Sequence, residues 1–278
     1  MKKVKVKAYA KVNFALDVFG KADGYHELKT VVASISLCDD VIVKEREDNR
    51  VSIRVIGSAG CSANENNAFK AGKIFKKTFK TKGFDITLKK RIPVGSGLGG
   101  SSADVAATLN GLKTLFEIDG DMTELANKLG SDTAYMLKGG FALLEGRGEI
   151  ISPIESRNKF YLILCKANGS VITKDAYAKF DDLNINNPPT AETAAKALEK
   201  GDTSEFLSSL KNDLYLPATK ILSEIKKNIK TLSSVAPAFM SGSGATTFVV
   251  FTDKKSRDKA YRVLRKKLKD KLIKAETV

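Results

Sequence analysis

The sequence predicts an α+β protein built in two halves, and three observations predict it. From Val4 to Val18 the even positions read Val, Val, Ala, Ala, Val, Phe, Leu, Val, a period of two that belongs to a strand or a hairpin of two strands. A glycine-rich stretch, RIPVGSGLGGSSAD (91–104), runs straight into a segment where Val105, Leu109 and Leu112 recur at helical spacing. Near 152–160 the composition changes to SPIESRNKF, and beyond it strand-like and helix-like segments begin again. The expected domains are therefore 1–155 and 156–278.

The elements follow in order. If the alternation of 4–18 holds through YAKVN, then Tyr9, Lys11 and Asn13 share the face opposite the apolar residues. Strands are expected at 29–37, 40–46, 50–56 and 84–90, and a helix at 65–79 over ENNAFKAGKIFKKTF. After the glycines a second helix begins, with Ser101, Ser102 and Asp104 suited to its cap and first turn. MTELANKLGS is a short helix ended by Gly130. The second half opens with a strand at 160–166 and later has another, TTFVVF, at 246–251. In the segment 254–276, Ala260, Val263, Leu264, Leu268 and Leu272 fall at helical spacing, which makes its lysines the wet face of a packed helix.

Bulk properties narrow the function. Forty-two per cent hydrophobic and 28% charged residues describe a folded globular chain. No apolar run reaches the roughly 18 residues of a membrane span, and MKKVKVKAYA lacks the apolar core of a secretory signal. Cys38, Cys61 and Cys165 are scattered and odd in number, which fits reduced thiols and a cytoplasmic setting. The 47 Lys+Arg against 32 Asp+Glu give +15, a charge that suits polyanions of any size. Only Tyr261 interleaves the terminal lysines, and no zinc-finger or RNP pattern accompanies them, which disfavours nucleic acid as the partner.

Gly95, Gly97 and Gly100 satisfy G-x-G-x-x-G, but the context rejects a dinucleotide fold. That fold needs an apolar strand running into the first glycine, whereas TLKKRIPV is charged and broken by Pro93. No Gly-Lys-Ser/Thr closes a Walker loop, and no H-R-D or D-F-G marks a protein kinase. What survives is an anion cradle: backbone N–H groups converge, and a helix N-terminus adds partial positive charge. A tight turn packed on neighbouring backbone is the plainer alternative, though one or two glycines would serve it. His26 is the single histidine, and without a G-x-S-x-G elbow it does not point to a serine triad. Asp23-Gly24 before Tyr25 and His26 reads as a tight turn that presents an aromatic pair. Asp132, after Gly130-Ser131, reads on its own as a helix cap.

PVGSGLGGSSAD resembles the phosphate loop of the GHMP kinases, the family of galactokinase, homoserine kinase and mevalonate kinase. AYAKVN (8–13), KADGYHEL (21–28), GSD (130–132), EGRGE (145–149), TKDAY (173–177), KNDL (211–214) and SGSGA (241–245) carry the resemblance through the chain in the family's order. They point to the branch acting on a cytidine diphosphate-linked methylerythritol in non-mevalonate isoprenoid synthesis. The resemblance implies a two-domain GHMP kinase architecture: an N-terminal half like ribosomal protein S5 domain 2, a ferredoxin-like C-terminal half, and an active site in the cleft between them. It implies transfer of a phosphoryl group from ATP, with Mg²⁺ riding mainly on the phosphates, to the substrate's 2-hydroxyl. Asp132 matches the family's base and Lys11 its charged partner, with Asn13 a nearby substrate contact. Tyr25 and His26 match the residues around the cytosine. Pro93, Val94, Gly95, Ser96, Gly97, Leu98, Gly99, Gly100, Ser101, Ser102 and Ala103 match the ATP phosphate loop, and Asn66 a position near the nucleotide base.

Departures from the pattern are specific. Ser101 stands where glycine is usual, Ala103 where a second serine is usual, and Asn67 where leucine is usual. Thr133-Ala134 replace a Val-Pro pair after Asp132. A GHMP kinase for another small alcohol is therefore one alternative, and a nucleic-acid-binding protein that reuses the S5-like half is another. A turnover assay over several alcohols, and RNA binding at moderate salt, would separate the three.

Overall fold

A computed structural model describes residues 1–22, 24–58 and 60–278, so Asp23 of the expected turn lies outside the described residues. The chain forms two compact units, one of residues 1–10, 37–94 and 99–139, the other of 11–36, 95–98 and 140–278. Two long strands, β1 (Lys3–Ala22) and β2 (Tyr25–Glu45), contribute residues to both. The glycine stretch is likewise divided, with 95–98 in the second unit and its flanks in the first.

In the first unit, β3 (Val51–Ile56), α1 (Asn67–Phe79), β4 (Phe84–Lys89), α2 (Gly100–Leu115), α3 (Thr123–Asn127) and α4 (Thr133–Lys138) follow in chain order. β4 pairs antiparallel with β2, from Asp40 opposite Lys89 to Glu45 opposite Phe84, and parallel with β3. α1 buries Ala68, Phe69, Ala71 and Phe75 on one face, and the Asn66 side chain caps it by accepting from the Ala68 N–H at 3.0 Å. α2 packs against α1 and is buried on most sides, with Val105, Leu109 and Leu112 fully enclosed.

The second unit continues with β5 (Phe141–Gly146), β6 (Ile150–Ile154), β7 (Tyr161–Cys165), α5 (Thr173–Asp182), α6 (Ala191–Lys200), α7 (Thr203–Ser208) and β8 (Lys211–Asn212). It ends with α8 (Tyr215–Ile221), α9 (Glu224–Leu232), β9 (Ala238–Met240), β10 (Thr247–Phe251), α10 (Lys254–Leu268) and β11 (Leu272–Glu276). β5 pairs antiparallel with β2 and with β6, and β8 runs parallel to β1 at Ala15 and Leu16. A separate antiparallel sheet has the order β11-β7-β10-β9. Numbered along the chain that order is fourth, first, third, second, the ferredoxin-like arrangement. Phe14 anchors the core here, with the rings of Phe160, Phe206 and Phe248 at 5.9, 5.2 and 5.9 Å.

Several sequence expectations change. The strands expected at 29–37 and 40–46 are one strand, β2: Asp39 and Asp40, which could have opened a turn, have their carboxylates engaged by the Ile92 N–H and by Lys7 and Arg91 instead. β1 is a single strand whose alternation holds as a burial pattern from Val4 to Ala10, with Lys5, Lys7 and Tyr9 exposed, and then stops: every residue from Ala10 to Asp17 is buried. Both faces are covered there, and the polar side chains survive by hydrogen bonding. Asp17, for example, accepts from the Thr190 and Ala191 N–H groups at 2.8 and 2.7 Å and so caps α6, whose own Thr190 makes no side-chain cap. The basic helix stops at Leu268, where Lys269 takes φ 44°, and Leu272 belongs to β11 instead. The helix around 122–131 shrinks to α3, and α4 was not anticipated. Asp104 is neither a cap nor a first-turn acid: α2 starts from Gly99 at φ 69°, which places Asp104 one turn in, buried. Among the described residues no helix is long and apolar enough to cross a membrane, and all three cysteines are free.

Asp40 on β2 fastens the charged entry to the glycine stretch. Its carboxylate, 3% exposed, takes Lys7 Nζ at 2.6 Å and Arg91 Nη2 at 2.9 Å. The Lys7 hydrogen bond outweighs burial and, with Arg91, holds the carboxyl down at about 2. A folded-state value below the unfolded one stabilises above about pH 4, and the contribution is lost as pH falls through the folded value. Asp40→Asn should cost about 1 kcal/mol at pH 7, a figure kept low because both cations are partly exposed. Urea denaturation should show that deficit narrowing between about pH 4 and pH 2.

Candidate active site

In the second unit the glycine stretch is stitched down by backbone and hydroxyl groups. The Lys11 N–H donates to Leu98 O at 3.0 Å, and the Thr246 N–H to Ser96 O at 3.1 Å. Ser241 Oγ accepts from the Asn13 N–H and donates to Gly97 O, both at 3.1 Å. Gly97 is where glycine is required. At φ 75° it lies so close to the 241–245 segment that a Cβ would stand 2.4 Å from Ser241 O and 2.7 Å from Gly244 O. SGSGA is thus a backbone wall against the loop.

The same unit orders a polar chain along β1. Lys11, only 6% exposed, donates from Nζ to Asn13 Oδ1 at 2.6 Å. Asn13 Nδ2 donates to Thr30 Oγ1 at 2.9 Å, and Thr30 passes its own proton to Ala15 O at 2.6 Å. With that proton committed, Thr30 can only accept, so the Asn13 amide is fixed with its oxygen towards the ammonium.

In the first unit the other arm of the loop becomes a helix start. Gly99 holds the N-cap position without a side-chain bond, and the N–H groups of Gly100, Ser101 and Ser102 open α2. The turn at 130–133 lies against it: a Cβ on Gly130 would meet Ser102 Oγ at 3.3 Å and Thr133 Oγ1 at 3.0 Å. Asp132 occupies the N-cap position of α4, yet its side chain makes no capping bond, so the cap reading fails on geometry. Ala103 is 2% exposed, a place where a hydroxyl would need a partner. The departures at 67 and 101 are one feature, since Asn67 Nδ2 donates to Ser101 Oγ at 3.0 Å.

Tyr25 and His26 part company in the second unit. Tyr25 is 60% exposed, with the Arg147 guanidinium 4.1 Å over its ring. His26 stacks on Tyr177 at 4.9 Å, meets Phe180 edge-on, and places Nε2 2.6 Å from Asp181 Oδ1. Lys21 also reaches Asp181, and the Lys21 and His26 contacts hold that carboxyl below its usual range. Thr30, Ser241 and Asp181 were missed from sequence. Ser241 stood inside the quoted SGSGA; the others carried no local signal.

Among the described residues no group of three or more His, Cys, Asp or Glu could hold a metal ion. The second unit thus offers an anion cradle and a buried ammonium, and the first a helix start and a carboxylate that makes no capping bond.

The family model for the GHMP kinases N terminal domain matches residues 66–142, and that for the GHMP kinases C terminal matches 194–270. A 4-diphosphocytidyl-2-C-methyl-D-erythritol kinase of Clostridium beijerinckii is 35% identical over 278 residues, 97% of this chain and 99% of the relative. One of the same name from Lachnoclostridium phytofermentans is 37% identical, over 93% of this chain and 91% of its own. A crystal structure of 4-(cytidine 5'-diphospho)-2C-methyl-D-erythritol kinase superposes with a TM-score of 0.83 at 28% identity, covering 98% of each chain.

Gly97→Ala should lower the thermal midpoint, with a cost of about 2–3 kcal/mol from the left-handed backbone and the collision with Ser241 O. Gly24→Ala has a similar φ, 77°, with nothing within 4 Å, and should cost about 1 kcal/mol. Equal midpoints for the two would mean that the close approach at Gly97 is unimportant.

Proposed function

This chain belongs to the GHMP kinase family, and we propose that it transfers the γ-phosphoryl group of ATP to the 2-hydroxyl of 4-diphosphocytidyl-2-C-methyl-D-erythritol. One observation carries the substrate: the likeness to kinases of that name runs through 97% of the chain at 35% identity. It therefore includes the substrate-side segments around Lys11, Tyr25 and Asp132 as well as the phosphate loop.

In this reading residues 93–103 and the start of α2 receive the ATP phosphates through backbone N–H groups. Asp132 accepts the hydroxyl proton as the bond to phosphorus forms. Lys11, steered by Asn13, offsets the negative charge that develops. Mg²⁺ bound with the ATP phosphates would neutralise part of their charge. Tyr25 and His26 face the cytosine, His26 with its ring direction set by Tyr177 and Asp181. Asn66 stands near the nucleotide base from the start of α1. The halves 1–155 and 156–278 are the family's two domains, with one family match in each. Three free cysteines suit a reducing cytoplasm.

The purified chain should phosphorylate the cytidyl alcohol, and homoserine or mevalonate poorly; the reverse preference would overturn the assignment. Asp132→Asn should lower kcat by roughly 10² to 10⁴ while ATP binding is retained. An unchanged kcat would remove Asp132 from the base role.

A further inference from the structure

Beneath the glycine stretch, within the first unit, three charged side chains form a closed cluster that the reaction does not use. Lys90 Nζ bonds to Asp39 Oδ2 and, at 2.5 Å, to Asp104 Oδ2. The side chains are 8%, 0% and 6% exposed for Lys90, Asp39 and Asp104. Asp39 also accepts from the N–H groups of Arg91 and Ile92, the latter at 2.8 Å. Three segments meet there: β2 through Asp39, the entry arm of the loop through 90–92, and α2 through Asp104. A Cβ on Gly100 would stand 2.9 Å from Ile92 and 3.8 Å from Lys90 Nζ, so the cluster lies against the start of α2.

We infer that Lys90, by bridging Asp39 and Asp104, is a positioning residue that holds the two arms of the loop at the spacing ATP phosphates require. The inference rests on the reading of 93–103 as the phosphate loop. Two features set the cluster apart from ordinary stabilising ion pairs. A buried ion pair gains little stability over a well-packed apolar replacement, because desolvation consumes most of the attraction; its return is in fixed geometry. The geometry fixed here is the distance between Ile92 and Asp104, the residues on either side of the loop. The arms cannot spread without leaving at least one buried charge unpaired.

Two carboxylates share one ammonium, and burial pushes the Asp104 carboxyl up to about 7, with Lys90 pulling it back. Asp104 Oδ1 is buried with no hydrogen-bond partner among the described residues. A carboxyl there can be replaced by an amide without loss of the acceptor that Lys90 uses. Asp104→Asn is therefore a variant that should fold, weakening one arm of the bridge. Lys90→Met with Asp104→Asn removes the bridge without leaving two carboxylates face to face.

The test is calorimetric titration of Mg²⁺-ATP into wild type and both variants, below the unfolding transition of each. The cytidyl alcohol is titrated in parallel. The double variant should bind ATP about tenfold more weakly, and Asp104→Asn about threefold, with alcohol binding unchanged. Lys90→Arg in the wild-type background should keep part of the ATP affinity, since its fork can still span two carboxylates. If the variants melt earlier yet bind ATP as tightly as wild type, the cluster is structural only and the inference is overturned. Should the double variant not fold, Asp104→Asn alone decides by the same comparison. Wild type that fails to bind ATP would overturn the phosphate-loop reading itself, a separate result.

Discussion

The contact on which the glycine loop depends is the approach of Gly97 to the backbone of Ser241 and Gly244. Glycine loops bind anions only when their N–H groups are held pointing the same way, and an unrestrained run of glycines would spend that order in conformational entropy. Here the restraint comes from outside the loop. Ser241 bridges the Asn13 N–H to Gly97 O, and the Lys11 N–H takes Leu98 O. The carbonyls of 96–98 are thereby engaged on one side. A side chain at 97 would push the wall away and release these bonds together.

The same stitches account for the burial of polar groups on β1. Lys11, Asn13 and Asp17 are enclosed where the alternation placed them on an opposite, wetter face. Period-two reasoning assigns faces correctly but assumes that one face meets water. From Ala10 to Asp17 both faces of β1 are covered, and this depends on partners from Thr30 to Ser241, far away in sequence. Strand identity was legible there, and so was the shared side of Lys11 and Asn13. Their enclosure was not.

Other misreadings have equally local causes. Leu272 keeps helical spacing with Leu264 and Leu268, but Lys269 turns left-handed and the chain pairs with β7. Periodicity alone cannot register one residue of reversed φ. Asp104 looked like a helix-start acid because serines precede it; Gly99 made the cap, one turn early, and freed Asp104 to meet Lys90. His26 was legible as half of an aromatic pair, while its bond to Asp181, 155 residues away, had no sequence signal. The loop's departures at Asn67 and Ser101 looked independent in sequence. In the fold they are joined by a hydrogen bond, Asn67 Nδ2 donating to Ser101 Oγ.

Asp132 shows how backbone geometry decides whether an aspartate before a helix caps it. An aspartate before a short helix is worth about 1 kcal/mol as a cap, through a bond to an N–H that otherwise has no partner in the helix. α4 is only six residues long, the kind of helix that needs such help, and Asp132 gives it none. Ser223 before α9 and Thr190 before α6 also lack side-chain caps, and for α6 the buried Asp17 supplies the bond instead. Asp202 and Asp253, by contrast, do cap their helices through the Glu205 and Ser256 N–H groups. Aspartates in this fold therefore cap where the local backbone allows it. Asp132, at φ −83° and ψ −8°, shares the helical backbone of the uncapped Ser223, whereas the capping Asp202 and Asp253 have ψ of 89° and 150°, the extended backbone from which a side chain reaches back to the first-turn N–H groups.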